Sequence, residues 1–487
     1  MLNPIIPGFH PDPSVCRIGD VYVLACSSFE YFPGVPLFVS DDLRDWRQIG
    51  NALDRPEQLR LDGARASGGV YAPTLRHHDG RLWLVTTNTS DRGHIIVTAQ
   101  DPAGPWSDPV VVEGMTGIDP DLAWDEDGTC WLTYASFADP VGIAQAPVDP
   151  LTGEVLDRPR PLWSGTGLAY PEAPHLYRIG PWWYLVIAEG GTERGHAVSV
   201  ARAERATGPF QSAPNNPVLT HSGTRSPVQN TGHGDLVRAP DGSWWMVLLG
   251  VRPRGGSPGY HVLGRETFLT PVRWTDGWPV PEPVELDEPP AAPEPDVEDF
   301  DAPGLGPQWI SIRGRDPEAC SLATRPGWLT LVARDGSLDD PRPTFAGRRP
   351  QHLSWVARAR VDASAGRGGL CVRIDERHHY EIEADGDTVT ARARVGPFER
   401  AYARVTVPPG PVVLRIETRP GPASMAAIGE PPDVIRLGVE RGGAVDELAE
   451  VDGRYLSTEV AGGFTGRVVG LYATRGTVAF DWYEYTA

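Results

Sequence analysis

Short apolar runs of strand length, broken by turn residues, dominate the first half of the chain. VYVLACSS, LWLVTTN and WWMVLLG are typical, and each is opened or closely preceded by an aromatic residue that follows a glycine by three positions. The pairing recurs five times, as Gly19/Tyr22, Gly80/Trp83, Gly128/Trp131, Gly180/Trp183 and Gly242/Trp245, with glycine intervals of 61, 48, 52 and 62 residues. Each glycine lies in a turn signal (IGD, HDG, EDG, IGP, PDG), so each unit reads as strand, tight turn, strand. A second element precedes each turn: Asp12-Pro-Ser-Val, Ala72-Pro-Thr-Leu, Asp119-Pro-Asp-Leu, Ala173-Pro-His-Leu and His233-Gly-Asp-Leu. Repeats at this spacing predict a five-bladed β-propeller over residues 1–285.

The pattern changes after residue 279. PVPEPVELDEPPAAPEPDVED is dense in proline and acid and has no apolar period, which predicts a stiff extended linker at 286–299. Alternation with period two then resumes, in Leu353/Trp355/Ala357/Ala359/Val361, Val389/Ala391/Ala393/Val395, Val412/Leu414/Ile416 and Ile435/Leu437/Val439. Helical periodicity is scarce, so residues 300–487 are expected to form an antiparallel β-sandwich of two sheets, and the whole chain to be all-β. At 487 residues, two domains are the natural division.

Composition narrows the function classes. A net charge of −20 argues against a nucleic-acid partner, which needs a basic face. All 44 basic residues are arginine, which removes lysine Schiff-base and lysine general-base chemistry. Five scattered cysteines without CxxC spacing read as buried reduced thiols. The N-terminus carries no basic and apolar leader and no segment reaches membrane-spanning length, so a cytoplasmic enzyme with no membrane partner is expected. A homo-oligomer is compatible with all of this. HExxH, P-loop, GxGxxG and GxSxG motifs are absent.

The first strand of each propeller blade lines the central channel, so equivalent positions of the five elements should form a ring. That position reads Asp12, Ala72, Asp119, Ala173 and His233, with Glu172 directly before Ala173. Three carboxylates distant in sequence would thus converge on one pocket. Glycoside hydrolysis needs such a set: a protonated carboxyl to serve the leaving oxygen, and an ionised one acting on the opposite face of the sugar. A third carboxylate beside the acid raises its pKa and holds it in place. Each residue alone has a plainer reading: Asp12 between two prolines as a turn cap, Asp119 as part of the acidic run to Asp127, and His233 as a satisfied channel histidine. Glu172 between prolines at a strand entrance is less readily explained by propensity.

These same residues resemble glycoside hydrolase family 43, in the branch of β-xylosidases and α-L-arabinofuranosidases. NPIIPGFHPDPSVCRIGDVYVLACSSFEYFPGVP is similar to the family's opening, GIDPDLAWDEDG to its central aspartate segment and YPEAPHLYRIGPWWYLVIAEGGT to its acid segment. The resemblance implies Asp12 as general base, Asp119 as pKa modulator and Glu172 as general acid of an inverting, exo-acting glycosidase that releases a terminal pentose. ASGGVYAPTL, GHGDLV and LGRETF extend the likeness and imply sugar contacts at Tyr71, His233 and Arg265, with Phe29 as an apolar wall. QHLSWVARARV, GLCVRIDERHHYEI and FTGRVVGLYATRG resemble the concanavalin-like sandwich of this branch. The substrate implied is a short oligosaccharide. No cofactor is implied for the reaction, although some members carry calcium or another divalent ion in the channel, which would fall at His233. Two departures stand out: Asp121 where many relatives have serine, and Tyr71 where several β-xylosidases have tryptophan. A propeller that binds sugar without turning it over, and one that serves as a protein-interaction platform, are the competing readings.

Overall fold

The computed structural model describes residues 3–287, 294–334, 336–421 and 428–487. It is all-β: among the described residues the only helical segments are the turns Gly453–Leu456 and Thr458–Ala461. Among the described residues no helix is long and apolar enough to cross a membrane. The chain separates into two compact units, Met1–Val251 with Glu266–Glu288, and Arg252–Arg265 with Pro289–Ala487.

The first unit contains five four-stranded antiparallel sheets in sequence order, the five blades of a β-propeller. Their inner strands are Ser14–Ile18, Thr74–His78, Gly117–Trp124, Glu172–Ile179 and Gln229–Arg238. Each is joined to the second strand of its blade by a hairpin turn containing one of the five repeat glycines. All five have positive φ, from 60° to 89°. A Cβ at Gly19, Gly80, Gly128 or Gly180 would meet nothing within 4 Å, so backbone conformation and not space demands glycine there.

The second strands are apolar on both faces because each blade lies between two others. In Val21–Ala25, Val23 and Ala25 pack with Leu75, Leu82 and Leu84 of blade two, while Tyr22 and Leu24 pack with Val237, Val247 and Leu269 of blade five. Three further clusters repeat this between blades two and three, three and four, and four and five. Side chains such as Leu84, Leu132, Leu185 and Leu248 are fully buried, each contributing about 1.5–3 kcal/mol by leaving water. The circle closes at the N-terminus. Ile6 and Thr267 exchange backbone hydrogen bonds, and the Asn3 amide bonds Leu269 at both its N–H and its carbonyl.

In the second unit, Trp355–Asp375 and Val468–Thr486 are the longest strands and run side by side. The first half of Trp355–Asp375 pairs with Val412–Pro420 and the second with His378–Asp385, with register breaks between Asp362 and Ala365. One strand therefore serves both layers of the sandwich. Of the alternating residues read from sequence, Trp355, Ala357, Ala359, Val361, Val389, Ala391, Ala393, Leu414, Ile416, Ile435, Leu437 and Val439 lie in its core, Val395 and Val412 pack against it half-buried, and Leu353 stands outside it. Of the linker expected at 286–299, residues 288–293 lie outside the described residues. Asp296–Glu298 is a strand paired with Tyr483–Tyr485, too short for its alternation to stand out from the acidic sequence around it. Arg252–Arg265, which intervenes between two strands of blade five, groups with this second unit and not with the propeller.

Candidate active site

Four of the five ring residues, all but Ala72, share an unusual backbone. Asp12, Asp119, Ala173 and His233 have φ of 55°, 55°, 52° and 54°, in the left-handed region that side-chain-bearing residues rarely adopt. The strand pairing slips between Ile118 and Asp121, between Glu172 and His175, and between Gly232 and Asp235. Asp119, Ala173 and His233 thus occupy β-bulges, a device that turns a side chain out of the pleat and recurs beside active sites, while Asp12 stands just before its regularly paired strand.

Two residues further along each element, the strand has recovered its alternation, and the side chains form a deeper layer: Ser14, Thr74, Asp121, His175 and Asp235, each 0–3% exposed. Arg76 fills the centre of this layer. Its guanidinium lies 2.8 Å from Asp121 Oδ1 and 3.1 Å from Asp235 Oδ2, and 3.0 Å from His175 Nδ1. Asp235 also accepts from Ser14 Oγ at 2.7 Å, from the Val15 N–H at 3.0 Å and from the Tyr177 hydroxyl. Burial alone would push the Asp235 carboxyl up. The Arg76 charge, the nearby His175 and the hydroxyls of Tyr177 and Ser14 reverse this and hold its pKa down to about 2. Every blade therefore contributes to one buried polar pin along the axis. Asp121 belongs to this pin: one oxygen pairs with Arg76 and the other accepts from the Leu176 N–H at 2.8 Å, so its charge is compensated one layer below Asp119.

The upper layer holds the expected carboxylates. Asp12 is 4% exposed; its Oδ2 accepts from Ser27 Oγ at 2.5 Å and its Oδ1 lies 3.6 Å from His233 Nδ1. Asp119 is 6% exposed and reaches across to blade four, where its Oδ2 accepts from the Ala173 N–H at 3.1 Å. It thereby grips the bulge that carries Glu172. The Glu172 side chain is 21% exposed, open to an incoming molecule, and its Oε1 lies 4.0 Å from His196 Nε2.

Phe29 and Tyr71 come together although they belong to different blades. Phe29 and Val70 exchange backbone hydrogen bonds, and the Phe29 and Tyr71 rings lie 5.2 Å apart, with Phe9 on the other side of Phe29 at 5.9 Å. Together they make an aromatic wall. Arg265 is found with the second unit, its Nε donating to the Phe464 carbonyl at 3.4 Å and its guanidinium 5.6 Å from the Phe464 ring. Among the described residues, no group of three or more His, Cys, Asp or Glu is arranged to hold a metal ion.

The family pattern of glycosyl hydrolases family 43 matches residues 1–279, and that of the beta xylosidase C-terminal concanavalin A-like domain matches residues 297–486. The chain belongs to glycoside hydrolase family 43. It is accordingly a glycosidase. Over 99% of its length it is 38% identical to a non-reducing end alpha-L-arabinofuranosidase of Bacteroides ovatus, covering 94% of that protein. It is 35% identical to a xylosidase/arabinosidase of Butyrivibrio fibrisolvens, with 99% of this chain and 98% of the relative covered. A solved xylan beta-1,4-xylosidase from Bacillus halodurans has a TM-score of 0.89 and 31% identity, with both chains covered completely.

Sequence reasoning missed the polar pin and His196. The pin had a signal, since the third position of all five repeated elements is polar. His196 had a weaker one: RGH opens the third strand region in both blade two (His94) and blade four (His196).

Proposed function

We propose that this family 43 glycosidase is an inverting, exo-acting enzyme that releases a terminal β-D-xylose or α-L-arabinofuranose from xylan- or arabinan-derived oligosaccharides. The observation that carries the reading is the convergence of Asp12, Asp119 and Glu172 at the same end of the inner strands, with Asp119 and Glu172 on bulges. In this reading Asp12, fixed by the Ser27 hydroxyl, takes a proton from water as that water attacks the anomeric carbon. Glu172, the most accessible of the three, gives its proton to the departing oxygen. Asp119 holds the Glu172 bulge through the Ala173 N–H and adds a negative charge that favours the protonated acid. Phe29 and Tyr71 face the sugar's apolar surface. Relatives named for either pentose support both substrates.

The test is hydrolysis of 4-nitrophenyl β-D-xylopyranoside and α-L-arabinofuranoside side by side, with proton NMR following the first anomer released. Inversion of configuration on whichever pentoside turns over, and loss of turnover in Asp12→Ala, are expected. Retention of configuration would overturn the mechanism, and inactivity on both pentosides would overturn the substrate assignment.

A further inference from the structure

The environment of His196 sets it apart from the other histidines of the propeller. It is 1% exposed at the entrance to Ala197–Ala203, with its backbone fixed by the Thr220 hydroxyl on its carbonyl at 2.8 Å and by its own N–H on Glu193 O at 3.0 Å. Its Nδ1 lies 3.0 Å from the Asn230 carbonyl, an oxygen that can only accept, so this nitrogen carries a proton. The ring lies flat against Gly232, where a Cβ would stand 2.3–2.5 Å from three imidazole atoms. The glycine before His233 is therefore a seat for this ring. So held, the other nitrogen, Nε2, is aimed at Glu172 Oε1.

His94, the counterpart in blade two, has a different neighbourhood. Its Nδ1 meets Thr87 Oγ1 at 2.8 Å, its ring packs edge-on to Tyr134, and burial pushes its pKa down to about 4. The repeat thus supplies a histidine at both places, but only the one in blade four faces a carboxyl.

We infer that His196 is a positioning residue for the general acid, donating from Nε2 to Oε1 of Glu172 so that Oε2 carries the proton to the leaving oxygen. The inference rests on Glu172 being that acid. The bond from Nε2 strengthens as Glu172 gives up its proton and its carboxyl becomes a carboxylate, so it favours the transition state over the ground state. At 4.0 Å the pair is longer than a hydrogen bond, and a contraction of about 1 Å with substrate bound is the usual behaviour of such catalytic contacts.

The test compares a 4-nitrophenyl pentoside, whose departing group needs little protonation, with the unsubstituted pentosyl disaccharide, whose departing group needs it fully. His196→Leu should lower kcat/KM on the disaccharide about 100-fold and on the nitrophenyl pentoside only about 3-fold. His196→Gln, which keeps a donor at similar reach, should recover part of the disaccharide loss and serves if the leucine variant folds poorly. Equal losses on both substrates in both variants would overturn the inference and leave His196 as packing. Glu172→Gln separates the two levels of the argument. If it shows the leaving-group split and the His196 variants do not, only the role of His196 fails; if it shows none, the acid assignment itself falls.

Discussion

Replacing Asp235 by asparagine keeps the shape of the axial pin and removes its charge. A carboxyl held at about 2 in the folded protein against an ordinary 3.8 contributes about 2 kcal/mol at neutral pH. The folded-state value is the lower one, so this stabilisation is complete above the unfolded value and is lost as pH falls toward 2. Asparagine also turns an amide N–H₂ toward donors at Ser14, Val15, Arg76 or Tyr177, and Arg76 keeps only Asp121 as a carboxylate partner. The total loss therefore lies between about 2 kcal/mol and the roughly 3–5 kcal/mol typical of breaking a buried ion pair. For a unit of this size that lowers the propeller's melting temperature by about 5–20 °C. Scanning calorimetry of both proteins at pH 7 and pH 3 reads the effect. At pH 3 about 1 kcal/mol of the parent's advantage is already gone, so the gap between the two should narrow by that amount. Equal stability at pH 7, or a gap that widens in acid, would refute the account of the pin.

Further outcomes follow from the same geometry. Gly232→Ala should cost about 1–3 kcal/mol by forcing a methyl into the His196 ring, and should lower turnover of the disaccharide more than that of a nitrophenyl pentoside; parent-like melting and kinetics would contradict the seat. In the second unit, Glu459 accepts from the His261 N–H at 3.0 Å and from its Nδ1 at 2.7 Å. Burial opposes ionisation of Glu459, yet these contacts lower its pKa overall, so its stabilisation is present above the unfolded value and lost in acid. Glu459→Gln should unfold at lower urea concentration than the parent at pH 7, with the difference disappearing in acid. Dialysis against EDTA should leave kcat/KM on a nitrophenyl pentoside unchanged, and a loss restored by calcium would show that a divalent ion supports the channel.

The blades are legible in the chain alone, because their causes are local. A glycine with positive φ and an aromatic three residues on mark each hairpin, and runs of consecutive apolar residues in the middle strands report a sheet buried on both faces. The chain also shows which positions could ring the axis, since the repeated x-Pro element aligns Asp12, Asp119 and Ala173 without knowledge of their contacts. The aromatic wall of Phe29 and Tyr71, by contrast, is joined by a backbone bridge between two blades that no periodicity encodes.

How closely spaced carboxylates divide their roles is settled by long-range packing. Asp119 and Asp121 stand two residues apart and read as one acidic stretch. The bulge lifts Asp119 toward Glu172, while Asp121 returns to the strand and sinks onto Arg76. The histidines divide in the same way: His233 stands beside Asp12, and the histidine beside Glu172 comes from another strand altogether. Local patterns fix which way a strand turns its side chains. Which charges meet, and so which carboxyl is compensated and which is left open to substrate, depends on the closure of five blades around a common axis.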